Sequence, residues 1–164
     1  MNRQNYLKLY GFLRNNPMLL TATVWLNRVI TALIYGFYPL FLFYLFWTKQ
    51  KGWLCYLLIP FFSFVAVSLL RAAVNARRPY EKFAVEPLID KQTKGHSFPS
   101  RHTFSIFIIG FCTLPFQPAI GTTVLCLGVL LAVSRVLLGV HFIHDVVAGA
   151  LFAAGAYFIG FHFI

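Results

Sequence analysis

Near its C-terminal end the chain reads Ser134-Arg135-Val136-Leu137-Leu138-Gly139-Val140-His141-Phe142-Ile143-His144-Asp145, which sets arginine, histidine and aspartate inside sequence otherwise fit for lipid. Ionisable groups at membrane depth are costly and mark functional sites with partners. His141 and Asp145 are four residues apart, so on a helix they share a face. A carboxylate beside an imidazole fixes its tautomer and stabilises its cation, which suits a histidine acting as nucleophile or base. Two further stretches carry compatible chemistry: Arg71, six residues, then Arg78-Pro79, and Pro99-Ser100-Arg101-His102. Arg71, Arg78 and Arg135 offer planar forks of donors for bidentate contacts with phosphate oxygens. Ser100 adds a hydroxyl, and the helix expected to start beside it adds backbone N–H groups and the positive end of a dipole. Such a cradle would hold a phosphoryl group and stabilise charge on its oxygens during transfer.

The composition says what must position these groups. Of 164 residues, 59% are hydrophobic and 11% charged, where a soluble domain carries about 25% charged residues. The chain is therefore read as an integral membrane protein, all-α, a polytopic helical bundle in a single domain spanning residues 1–164. Its 19 Phe, 8 Tyr and 3 Trp suit lipid-facing and interfacial surfaces. The net charge of +10 raises nucleic acid as a partner, but basic residues flank membrane spans and attract anionic head groups, so none is expected. Arg71, Arg77, Arg78, Lys82, Lys91, Lys94 and Arg101 lie between two apolar runs, together with Glu81, Glu86 and Asp90. The remaining acid is Asp145. Cys55, Cys112 and Cys126 sit in apolar runs without metal-ligand spacing and read as small hydrophobes. The chain has no cluster of carboxylates for magnesium, so no metal or other cofactor is expected.

The pattern predicts an amphipathic helix over residues 5–20, lying on the membrane or crossing it as a sixth span. About five spans should follow: 22–47 (starting as late as Arg28, because Asn27 and Arg28 are expensive in lipid), 53–74, a short one over 102–114, 119–138 and 143–164. Pro17 should end the first helix or open the next, and Pro39 should kink the first span. Residues 75–101 form a polar loop rich in Pro, Gly and charge. Alternating crossings then put Arg71 to Arg78, Ser100 to His102, Ser134-Arg135, and His141 to Asp145 on the same side of the membrane. One interfacial pocket should result. The N-terminus shares that side if there are five spans. No cleavable signal is expected, because no small-residue cleavage site follows the first long apolar run.

The three motifs together resemble the type 2 phosphatidic acid phosphatase superfamily, whose signature reads Lys-x6-Arg-Pro, Pro-Ser-Gly-His and Ser-Arg-x5-His-x3-Asp. The third motif matches in full; Arg71 stands for the lysine of the first, and Arg101 for the glycine of the second. The resemblance covers residues 71 to 145. It implies that His141 is the nucleophile that forms a phosphohistidine, with Asp145 orienting it. It makes His102 the general acid toward the leaving group and later the base for water. Arg71, Arg78, Ser100 and Arg135 become phosphate ligands, with no metal needed. Arg101 either faces solvent and head groups or contacts a second phosphate. His96 reads as an exposed loop histidine, and His144 as pointing elsewhere on its helix.

A site where spans meet the interface implies a lipid with a phosphorylated head as substrate, and the bilayer as surroundings. Among family members of this size, undecaprenyl pyrophosphate phosphatases of bacterial cell-wall lipid recycling look most similar. Phosphatidylglycerophosphate, phosphatidate or lipid A phosphatases are alternatives, as is a phosphotransferase. A non-enzymatic lipid-phosphate binder would need the arginines but neither His102 nor His141. The resemblance favours a multi-pass protein of the cell membrane with an extracytoplasmic site. It leaves the oligomeric state open.

Overall fold

A computed structural model describes residues 3–89 and 93–162. Asp90 and Lys91, counted above among the loop charges, lie outside the described residues, as does the expected end of the last span at Ile164. Seven helices and no strand occur among the described residues: α1 Arg3–Arg14, α2 Pro17–Trp47, α3 Cys55–Val74, α4 Pro79–Phe83, α5 Arg101–Thr113, α6 Pro118–Leu137 and α7 Ile143–His162. Helices are the open-ended solution in lipid, because each satisfies its backbone polar groups internally. Pro17 and Pro118 each open a helix, where the missing N–H costs nothing. Thr23, Thr31, Ser63 and Thr113 turn their hydroxyls back onto the carbonyls four residues earlier, which removes the need for water.

Four helices, α2, α3, α6 and α7, have the length and apolarity to cross a membrane. On α2 the buried residues Asn27, Ile30, Ile34, Phe41 and Leu45 fall on one stripe, while Trp25, Val29, Leu33 and Leu40 face outward, as a helix with one side to lipid requires. The third predicted span is α5, only 13 residues long. It is the central helix, buried nearly all round through Thr103, Phe104, Ile106, Ile108, Ile109, Cys112 and Thr113. With the turn after it, α5 runs the thickness of the bundle. Its N-terminal end meets the last turn of α3 through Arg71 and Pro99. Phe116 meets the first turn of α3, its ring centred 5.0 Å from that of Tyr56. Glycine allows the close approaches. A Cβ on Gly149 of α7 would stand 2.6 Å from the Ser100 carbonyl oxygen, and one on Gly121 of α6 would stand 2.7 Å from the Leu114 backbone.

The first helix does not cross. At 12 residues α1 is about 18 Å long, and it packs at the end of the bundle that carries the motifs. Its Tyr6 ring lies 4.9 Å from that of Phe83, and its hydroxyl occupies the space a Cβ on Gly139 would need. The N-terminal part of α2 lies at the same end, where the buried Asn27 amide donates to Ser134 Oγ at 2.9 Å. That bond meets the cost that made Asn27 an awkward residue inside a span. Arg28 is exposed instead. Among the described residues, four helices of spanning length thus surround the short α5, with α1 on the motif side.

Candidate active site

The motif residues are brought together by loops whose backbone is tied to arginine side chains. Arg71 sits in the last turn of α3, which ends at Asn75 in a left-handed conformation (φ 42°). From there Arg71 Nη1 donates to the carbonyls of Ser97 at 3.3 Å and Pro99 at 2.8 Å. Arg78 is the N-cap of α4, with Pro79 in its first turn. Its Nε donates to the Gly95 carbonyl at 3.1 Å, Nη1 to Val140 at 3.0 Å and Nη2 to His96 at 3.4 Å. Arg78 thus ties the polar loop to the segment that carries His141. Each guanidinium has five N–H donors, so both arginines keep donors beyond these bonds.

His141 lies in the short connection between α6 and α7, after a turn made by Gly139 at φ 67°. Asp145 follows in the first turn of α7, where the helix dipole favours a carboxylate. His141 is 1% exposed and Asp145 0%. Asp145 Oδ2 accepts from Ser97 Oγ at 2.5 Å, from the Phe142 N–H at 2.9 Å and from His141 Nδ1 at 3.4 Å. A carboxylate oxygen only accepts, so Nδ1 carries the imidazole proton and Nε2 keeps a lone pair. The Asp145 carbonyl accepts from the Ser100 N–H at 2.9 Å, which fixes the start of α5 against the same turn.

Burial pushes the His141 imidazole down to about 4, against the Asp145 hydrogen bond that raises it and together with the Arg78 and Arg135 charges that lower it. An unfolded histidine titrates near about 6.5. The unfolded chain therefore takes up a proton at pH values where the folded chain refuses it. The stability that comes from keeping His141 neutral is complete above pH 6.5 and is lost as the pH falls toward about 4. Thermal unfolding of the detergent-solubilised protein should fall across that window. His141→Gln should flatten part of the fall, and identical pH profiles would contradict the assignment.

Arg71, Arg78, Arg101, His102 and His141 line one cavity of about 380 Å³. Three sequence-predicted residues lie behind its wall. Asp145 is the orienting partner just described. Ser100 is fully buried, and its Oγ accepts from Thr103 Oγ1 at 3.0 Å, which leaves the Ser100 hydroxyl hydrogen for another acceptor. Arg135 is 4% exposed, and its buried Nε makes no hydrogen bond. Arg101, at the start of α5, carries its guanidinium 5.8 Å above the Phe64 ring.

His96, read as an exposed loop histidine, is exposed but also lines the cavity. Two site residues had no role in the sequence reading: Lys94 lines the cavity, and Ser97 binds both Asp145 and, at 3.4 Å, His141 Nδ1. The only signal for these was their place in the turn just before Pro99-Ser100. Asn75, which the sequence allows either to cap the helix end or to line the pocket, is the C-cap of α3 and accepts from the His96 N–H at 3.2 Å. His144 does not point away as its helical position suggested. Its Nε2 lies 3.2 Å from Asp145 Oδ1, an ion pair whenever that imidazole is protonated, and its ring stacks on Phe142 with centroids 5.2 Å apart.

The chain is similar to several known proteins. The Bacitracin transport permease protein BcrC of Bacillus licheniformis is 36% identical over 107 residues, 63% of this chain and 52% of that protein. The chain thus aligns with about half the length of that curated relative. The crystal structure of Aquifex aeolicus LpxE superposes with a TM-score of 0.71 at 25% identity, covering 94% of this chain and 93% of that one. The first transmembrane PAP2 type phosphatidylglycerolphosphate phosphatase from Bacillus subtilis shares the fold, with a TM-score of 0.62 at 24% identity over 98% and 92% of the two chains. Residues 52–164, which hold all three motifs, match the PAP2 superfamily, and with more than half of its length matched, the chain belongs to that superfamily.

Proposed function

We propose that this protein is a phosphatase of membrane lipids that removes the terminal phosphate of undecaprenyl diphosphate, giving undecaprenyl phosphate. The observation that carries the reading is one cavity whose lining brings the motif histidines His102 and His141 together with three arginines, Arg71, Arg78 and Arg101. His141 Nε2 attacks the terminal phosphorus, and the bond to the bridging oxygen breaks as His102 gives that oxygen a proton. The phosphoryl group then resides on Nε2, and Asp145 stabilises the imidazolium. Water follows, with His102 taking its proton, and the P–N bond breaks to release inorganic phosphate. Arg71 and Arg78 bind equatorial oxygens with their remaining donors. From behind the wall, Ser100 adds a hydroxyl and Arg135 a further positive charge to the field that favours the phosphoryl group.

A lipid substrate is supported by an apolar groove of about 300 Å³ between α2, α3 and α5, lined by Tyr35, Leu57, Phe61, Phe64 and Ile108. Arg101 stands between the two spaces, lining the polar cavity and lying over Phe64. That position suits the junction of a lipid chain with a second phosphate, and it favours a diphosphate over a monophosphate. In keeping with the family resemblance, the site faces outward from the cell membrane; a cysteine at Lys94 should be labelled from outside intact cells.

The test is phosphate release from a panel of lipid mono- and diphosphates in detergent, with and without EDTA. The diphosphate should be turned over fastest and EDTA should change nothing, since arginines supply the positive charge. Preference for phosphatidylglycerophosphate, phosphatidate or lipid A phosphate, or inhibition by EDTA, would overturn the corresponding part. The name of the BcrC relative, a transport permease, points to a second class, transport without hydrolysis. His102 and His141 in the cavity favour hydrolysis, because an anion carrier needs only the arginines.

A further inference from the structure

One wall of the cavity is the segment from Thr93 to His96, and its conformation is unusual. Gly95 and His96 are consecutive left-handed residues, at φ 64° and φ 51°. A left-handed backbone is uncommon for a residue other than glycine and must be held by its surroundings. Glu81 does most of the holding. Its Oε2 accepts from the Gly95 N–H at 2.8 Å and from the Arg78 N–H at 2.9 Å, and its Oε1 lies 3.0 Å from the Gly95 nitrogen. Asn75 Oδ1 takes the next N–H, that of His96, and fills the space a Cβ on Gly95 would need. The Tyr80 hydroxyl donates to the Thr93 carbonyl at 2.5 Å. Glu81 itself stays out of the cavity lining, whereas Lys94 and His96 are part of it.

We propose that Glu81 is the positioning residue of the head-group wall. It holds the Gly95–His96 turn in its left-handed form, and so presents Lys94 and His96 to the phosphate. This rests on the phosphatase reading of the same site. The motifs did not single it out: it lies three residues after Arg78, as the partner that closes the first turn of α4. Gln cannot replace it, because a single amide oxygen serves the acceptor positions poorly and the amide N–H₂ would face donors.

The direction of the effect separates positioning from plain electrostatics. Removing a negative charge beside a basic pocket would tighten anion binding and lower KM. Loss of the wall weakens ground state and transition state alike, which raises KM and spares kcat. With purified full-length protein and undecaprenyl diphosphate, Glu81→Gln should raise KM by about 10-fold or more while kcat stays within about 3-fold. Gly95→Ala, which opens the same turn from the Asn75 side, should do the same and serves if Glu81→Gln does not fold. Both variants should also lose the thermal stabilisation that inorganic phosphate gives the wild type. An unchanged or lowered KM in the folded variants, with the phosphate effect intact, overturns the assignment. If the wild type cleaves no lipid phosphate and yet phosphate stabilises it in a Glu81-dependent way, the catalytic reading fails and the positioning role stands.

Discussion

Replacing His141 with alanine should abolish phosphate release, lowering kcat by at least about 10⁴-fold, while binding of the lipid phosphate stays measurable. The reason is the division of labour in the cavity. Arg71, Arg78 and Arg101 provide the charge that binds the head group, and they remain in the variant. His141 offers a neutral imidazole whose Nδ1 proton is committed to Asp145 and whose Nε2 keeps its lone pair. His102 lines the same cavity, placed to serve as the proton donor to the leaving oxygen. The check is kcat and binding measured on the same folded preparation. Full activity in His141→Ala would rule out the phosphohistidine route; loss of binding alone would make His141 a ligand and not the nucleophile.

Asp145→Asn should lower kcat by about 10³-fold, with KM little changed. An asparagine whose amide oxygen takes the Oδ2 position can still accept from Ser97, Phe142 and His141, so the turn keeps its shape. What disappears is the negative charge. The imidazole becomes cationic as its Nε2 bonds to phosphorus, and a fully buried carboxylate stabilises that cation far more strongly than an exposed one would. Steady-state kinetics at neutral pH decide the matter, with circular dichroism to verify the fold. A kcat within threefold or so of wild type would reduce Asp145 to a backbone cap for the Phe142 N–H.

Much of this arrangement was legible in the residues because its causes are local. Pro17 and Pro118 mark helix starts, and the stripe from Asn27 to Leu45 has the period of a half-buried helix. The convergence of Arg71, Ser100, His102, His141 and Asp145 followed from counting crossings, which needs only hydropathy. Features set by the loop's path were not legible. Glu81 and Ser97 carry no motif of their own, and their roles depend on the left-handed turn at Gly95 and His96. Helical projection alone separates His144 from Asp145, yet residues in the first turn lie beside the preceding loop, and the ring folds back over Phe142. Depth was likewise hidden. Arg71, Arg78 and Arg135 look equivalent in sequence, but Arg71 and Arg78 line the cavity and staple carbonyls, while Arg135 lies behind with its Nε unpaired. The awkward placing of Asn27 and Arg28 resolved through different means, a bond to Ser134 for one and exposure for the other.

The measurement that tests the central claim most directly is capture of the covalent intermediate. Purified protein is mixed with undecaprenyl diphosphate labelled in its terminal phosphate, quenched in alkali within milliseconds and digested for mass spectrometry. The account predicts label that is stable to base and labile to acid, located on His141, and missing from His141→Ala. Label on another residue, or phosphate release at the full rate with no labelled protein at any time, would contradict it.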